Sequence, residues 1–80
     1  MYLEILTPDS KVFAGDIQSV NLPGSDGYFE VHPKHAAIIS TLDKGAIKVM
    51  AEGKTTEYMV DGGVVEVLND KIIVLAESLL

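Results

Sequence analysis

The sequence predicts an all-β domain, a sandwich or a barrel. Three observations carry this: turn-forming clusters recur at short intervals, β-branched residues fill the runs between them, and no run of ten residues has helical periodicity. Taken in order, Tyr2 to Leu6 stops at Pro8-Asp9-Ser10, and Lys11 to Phe13 stops before a turn expected at Gly15-Asp16. Ile17 to Leu22 enters the tight turn Pro23-Gly24-Ser25-Asp26-Gly27, and Tyr28 to Val31 ends at His32-Pro33. Ala37 to Leu42 meets Asp43-Lys44-Gly45. Ala46 to Ala51 and Lys54 to Val60 flank Glu52-Gly53, and Val64 to Leu68 and Lys71 to Ala76 flank Asn69-Asp70.

Two of these pairs can be registered as hairpins. A two-residue turn at Glu52-Gly53 sets Lys48 opposite Glu57 on one face and gathers Ile47, Val49, Thr56, Tyr58 and Val60 on the other, which makes Ile47 and Tyr58 core candidates. The same construction on Asn69-Asp70 collects Val65, Val67, Ile72 and Val74 on one face. Its opposite face is mixed: Val64, Glu66, Leu68, Lys71, Ile73 and Leu75. Leu68 and Ile73 are therefore candidates for contact with a partner.

Eighty residues fit one domain, residues 1–80, and the size scaling predicts about 4,700 Å² of exposed surface after folding, roughly 60% of the extended chain's area having been removed. Hydrophobic residues make up 48% of the chain, more than the inward faces of the strands can absorb, and the surplus points to a covered surface. Without cysteine there is no disulfide framework and no thiol chemistry. Six basic residues, all lysine, against twelve acidic ones give a net charge of −6, the wrong sign for nucleic acid. No apolar run approaches the roughly 20 residues of a membrane span, and the N-terminus has no signal-peptide pattern, so a soluble, cytoplasmic chain is expected.

Chemistry-bearing constellations are few. Glu30, His32 and His35 superficially offer three metal ligands, but Pro33 resists the helical turn that would converge the two histidines, so no metal is expected. Pro23-Gly24-Ser25-Asp26-Gly27 lacks the lysine and following helix of a phosphate loop, and Asp61-Gly62-Gly63 supplies positive φ at a turn or bulge. No catalytic residue, cofactor or small-molecule substrate is expected. The residues alone describe a non-enzymatic binding or structural module.

One stretch is more specific. Leu22-Pro23-Gly24-Ser25-Asp26-Gly27-Tyr28-Phe29-Glu30-Val31-His32-Pro33-Lys34-His35-Ala36, followed by Leu42-Asp43-Lys44-Gly45, resembles the epsilon subunit family of the F-type ATP synthase, whose mitochondrial counterpart is called delta. That family shows a Pro-Gly turn, Gly-x-Phe-Gly-Val, a Pro-x-His-Ala corner and a further Gly turn. The resemblance extends over Leu3-Glu4-Ile5-Leu6-Thr7-Pro8, Val12-Phe13-Ala14-Gly15, Gly62-Gly63-Val64-Val65-Glu66-Val67 and Val74-Leu75-Ala76. Glu30 stands where the family usually has Gly, and Ala37 where it has Pro.

The resemblance implies a flattened β-sandwich of two mostly antiparallel sheets. It further implies a non-catalytic rotor subunit of the central stalk, joining the gamma subunit to the c-ring so that proton transport drives ATP synthesis. Such a subunit is peripheral, on the cytoplasmic face of the inner (plasma) membrane. Gly27, Tyr28, Phe29, Glu30, His32 and His35 would lie at the c-ring end, with Leu68 and Ile73 turned to gamma or a neighbour. The family's inhibitory, ATP-binding C-terminal helical hairpin is not expected in a chain whose last strand is followed by Glu77-Ser78-Leu79-Leu80. The competing reading is a generic protein-binding β-sandwich module.

Overall fold

The registers expected for the two hairpins are present in the computed structural model, which describes all 80 residues. The nine strands are β1 (Tyr2–Leu6), β2 (Lys11–Asp16), β3 (Ser19–Gly24), β4 (Gly27–Val31), β5 (Ile38–Leu42), β6 (Gly45–Ala51), β7 (Lys54–Val60), β8 (Gly63–Leu68) and β9 (Lys71–Ala76). In β6–β7, Lys48 pairs with Glu57 and Ile47 with Tyr58; in β8–β9, Val65 pairs with Val74 and Val67 with Ile72. Both turns place two central residues at positive φ, Glu52 (53°) and Gly53 (76°), then Asn69 (50°) and Asp70 (63°). This is the type I′ pattern, whose twist matches that of the flanking strands.

All pairings are antiparallel except β1 with β9. The strand order is β2-β1-β9-β8-β5-β3-β6-β7, with β4 also on β3. A strand has two edges, and β4 runs along Val20–Gly24 of β3. The other edge of β3 is shared: Ser19, Val20 and Asn21 pair with β6, and Gly24 alone pairs with Leu42 of β5. The two layers are thus one sheet folded over at Gly24 and Leu42. Extents of 27 × 24 × 18 Å give the flattened shape.

Alternation along the strands explains the core. Leu3, Ile5, Val65, Val67, Ile72 and Val74 from one layer and Val20, Leu22, Val31, Ile47, Val49 and Val60 from the other are almost fully buried in a single cluster, with no polar or charged side chain among the buried residues. Each such side chain contributes roughly 1.5–3 kcal/mol. Tyr58 is half-buried rather than enclosed, packing on the edge of this cluster with its ring 6.1 Å from that of Phe13. The exposed surface is 4646 Å², close to the expected value.

Two turn assignments need correction. Gly15 and Asp16 continue β2, paired with Leu3 and Tyr2, because a bulge between Ile5 and Leu6 shifts the register and the full length of β1 still needs a partner. The chain turns instead at residues 17–18, where the Ile17 amide donates to the Met1 carbonyl (2.8 Å) and that of Gln18 to Met50 (2.7 Å). Likewise Pro23 and Gly24 lie in β3, and only Ser25-Asp26 form the turn into β4. Proline is tolerated there because its carbonyl, the only backbone hydrogen-bonding group it has, accepts from Asp43 at 2.8 Å.

Candidate partner interfaces

The region from Gly27 to His35 divides its side chains by strand alternation. Tyr28 and Glu30 point outward from β4, Phe29 points inward against the core, and Val31 is fully buried. The Tyr28 hydroxyl accepts the amide of Ala46 at 3.2 Å, which holds its ring against the start of β6 while 57% of the residue stays exposed. His32 Nε2 donates to Glu30 Oε2 at 2.6 Å, with both side chains about half exposed. Gly27 is exposed at φ 123°, the conformation that closes the Ser25-Asp26 turn.

His32, Pro33, Lys34 and His35 form a β-turn, the His35 amide donating to the His32 carbonyl at 3.1 Å. With proline second and Lys34 third at φ 69°, this is the φ pattern of a type II turn, not a helical one. His35 Nδ1 donates to the Ala36 carbonyl at 2.7 Å, while His32 pairs with Glu30. No three metal-ligand groups converge anywhere in the chain.

A second surface is the outer face of β1, β9, β8 and β5. Strand pairing sets its side chains in transverse rows: Glu4, Ile73, Glu66 and Ile39 in one, Leu6, Leu75, Val64 and Thr41 in the next, and Tyr2, Lys71 and Leu68 on the other side. Ile39 is 72% exposed, and Val64, Leu68 and Leu75 are also exposed, whereas Ile73 is half-buried in the middle. Shallow hollows flank Leu68, one floored by Ile73 and Lys71, the other by Ile38 and Ile39. Lys11 reaches Glu4 at 3.3 Å on the rim of this face.

Leu68 and Ile73 therefore fall on one apolar surface, while Gly27, Tyr28, Glu30, His32 and His35 are exposed in the Gly27–His35 region and Phe29 is turned inward. The sequence did not single out Ile39, because its place beside Glu66 depends on the pairing of β5 with β8, which lies 27 residues away in the chain from Ile39 to Glu66. Val64 and Leu75 were placed on the right face by the hairpin register. Their contribution to a continuous patch becomes visible only with β1 and β5 alongside.

The fold is a folded-over all-β sandwich that exposes an apolar face on one layer and a polar end at Gly27 to His35. The chain belongs to the ATP synthase delta/epsilon chain family: the profile of its β-sandwich domain matches residues 1–80. A chain from Campylobacter hominis named ATP synthase epsilon chain is 40% identical over 80 residues, covering 98% of this chain and 62% of that one. The present chain thus spans about three-fifths of that relative's length. Among solved structures, one from the mitochondrial ATP synthase of Euglena gracilis (OSCP/F1/c-ring) superposes with a TM-score of 0.91 at 18% identity, covering 98% of this chain and 51% of that one. Another, from the central stalk and c-ring of the Tetrahymena thermophila mitochondrial enzyme, gives 0.85 at 15%, covering 99% and 64%.

Proposed function

We propose that this chain works as the sandwich of a central-stalk rotor subunit, binding the gamma subunit through the outer face of β1, β9, β8 and β5 and resting on the c-ring with the Gly27-to-His35 end. The observation that carries this reading is the match of the delta/epsilon β-sandwich family over the whole chain. Two exposed surfaces of different character support it. The apolar face around Ile39, Leu68 and Ile73 suits a permanent partner, since stable interfaces have apolar centres. The polar end carrying Glu30, His32 and Tyr28 suits a lighter contact with loops.

The role is mechanical, with no reacting group. Torque passed from ring to gamma needs a body that does not yield, and a close-packed core without buried polar groups provides one. As part of the synthase the domain would be peripheral to the membrane on its cytoplasmic face. The test is isolation of the complex from cells expressing a tagged form of this chain. Gamma and the c-ring should co-purify in stoichiometric amount; recovery of the tagged protein with neither would reject the reading in favour of an unrelated binding module.

A further inference from the structure

The six residues from His32 to Ala37 cross from β4 in one layer to β5 in the other, and they are bound almost entirely to themselves. His35 bonds to the His32 and Ala36 carbonyls, and His32 to Glu30. Beyond the contact with the adjoining strand β4, one hydrogen bond reaches this crossing: the amide of Lys34 donates to Asp70 Oδ1 at 3.1 Å. Asp70 itself is firmly placed, since its carbonyl accepts the amide of Tyr2 at 2.9 Å and its neighbour Lys71 is paired in β9 with Leu68 of β8.

Asp70 is also an uneconomical choice for its own turn. It occupies the second central position of a type I′ turn at φ 63°, behind Asn69, where glycine is the residue that backbone sterics favour. The carboxylate is therefore not explained by the hairpin, and its bond to Lys34 gives it a role. We infer that Asp70 is a positioning residue for the His32–His35 turn, fixing the crossing loop to the β8–β9 hairpin. In consequence the loop and the apolar face bearing Leu68 move as one body. The link to the c-ring rests on the function proposed above; the tie between Asp70 and Lys34 does not.

Asp70→Gly and Asp70→Asn separate the side chain from the turn. Glycine suits φ 63° and creates Asn-Gly, so the fold and the melting temperature should be kept, but the acceptor is lost. Asparagine tolerates the same backbone and retains an Oδ1. Amide hydrogen exchange on the isolated 80-residue chain should show Lys34 exchanging on the order of three- to tenfold faster in Asp70→Gly, with Asp70→Asn restored towards the parent, as the worth of one hydrogen bond implies. Equal Lys34 exchange in all three proteins would overturn the inference. In the assembled complex, a His35→Cys variant, with its probe in the turn itself, should cross-link to a ring-loop cysteine less efficiently when Asp70 is Gly than when it is Asp or Asn. Efficiency independent of residue 70 would refute the positioning role. Absence of any ring cross-link in the Asp70 protein would reject the ring contact itself and leave the Asp70 tie to be decided by the exchange result.

Discussion

The Tyr28 hydroxyl lies 2.7 Å from the position a Cβ would take on Gly45. The same oxygen accepts the amide of the next residue, Ala46, and the Cβ of Pro23 also stands 2.9 Å from that position. Gly45 is thus required by packing: the exposed aromatic of β4 is laid across the first residue of β6. This bond ties β4 to the start of β6 across β3, the strand that both of them flank in the same layer.

Gly45→Ala should therefore cost about 1–3 kcal/mol, the usual range for forcing a methyl into a filled site. In a Tyr28→Ala background the cost should fall, though not to zero, because Pro23 still blocks the site. Urea denaturation of the four proteins of the double-mutant cycle measures the coupling. Identical costs in both backgrounds would show that Tyr28 does not occupy the space.

At Gly63 the constraint is backbone against backbone. An added Cβ would fall 2.2 Å from the Leu75 carbonyl oxygen, at a φ of 155° that side chains rarely adopt. Neither atom can step aside without opening the β8–β9 pairing, so Gly63→Ala should cost about 3 kcal/mol or more, combining overpacking with strain. Gly53→Ala makes a fair comparison: nothing stands within 4 Å of its Cβ, and only the left-handed φ of 76° opposes it, at about 1–2 kcal/mol. Thermal melts that rank Gly53→Ala as the more damaging change would contradict this account.

The strands and both hairpin registers were legible because they are written locally, in Glu52-Gly53, Asn69-Asp70 and the period-two alternation around them. Gly15-Asp16 misled because a Gly-Asp pair looks the same in a turn and in a strand whose partner, β1, precedes it across a bulge. The candidate surfaces were legible in part. Leu68 and Ile73 followed from a hairpin face, and the Gly27–His35 region from family resemblance. Ile39 required the long-range β5–β8 pairing, and the Lys34–Asp70 bond spans 36 residues between two turns with no sequence pattern in common.

For the apolar face, Ile39→Ser with Leu68→Ser is a cleaner probe than Ile73→Ser. The first two side chains are largely exposed, so their loss should change stability by under about 0.5 kcal/mol each, whereas half-buried Ile73 carries packing as well. Affinity for gamma, by titration calorimetry, should fall at least tenfold in the double variant, equivalent to about 1.4 kcal/mol. A stable double variant that binds gamma as tightly as the parent would place the interface elsewhere.

At the opposite contact, charge is the variable to change. Glu30 stands in a row across the outer face of the second layer, paired with Asn21, which pairs with Lys48, which pairs with Glu57. Both carboxylates are exposed, and replacing either by lysine alters the net charge equally. Only Glu30 bonds to His32, at the end proposed to meet the ring. Where the ring loops present basic side chains, Glu30→Lys would turn an attractive contact into a repulsive one, and it would release His32. Exposed pairs contribute only about 0–1 kcal/mol, so the complex should still assemble and hydrolyse ATP at near the parent rate. ATP-driven proton pumping by reconstituted vesicles, measured by fluorescence quenching, should drop partially with Glu30→Lys and stay at the parent level with Glu57→Lys. The deficit should shrink as salt rises, since the interaction is screened over about 10 Å at 0.1 M ionic strength. Equal losses from the two variants would make the effect one of net charge and remove Glu30 from the ring contact.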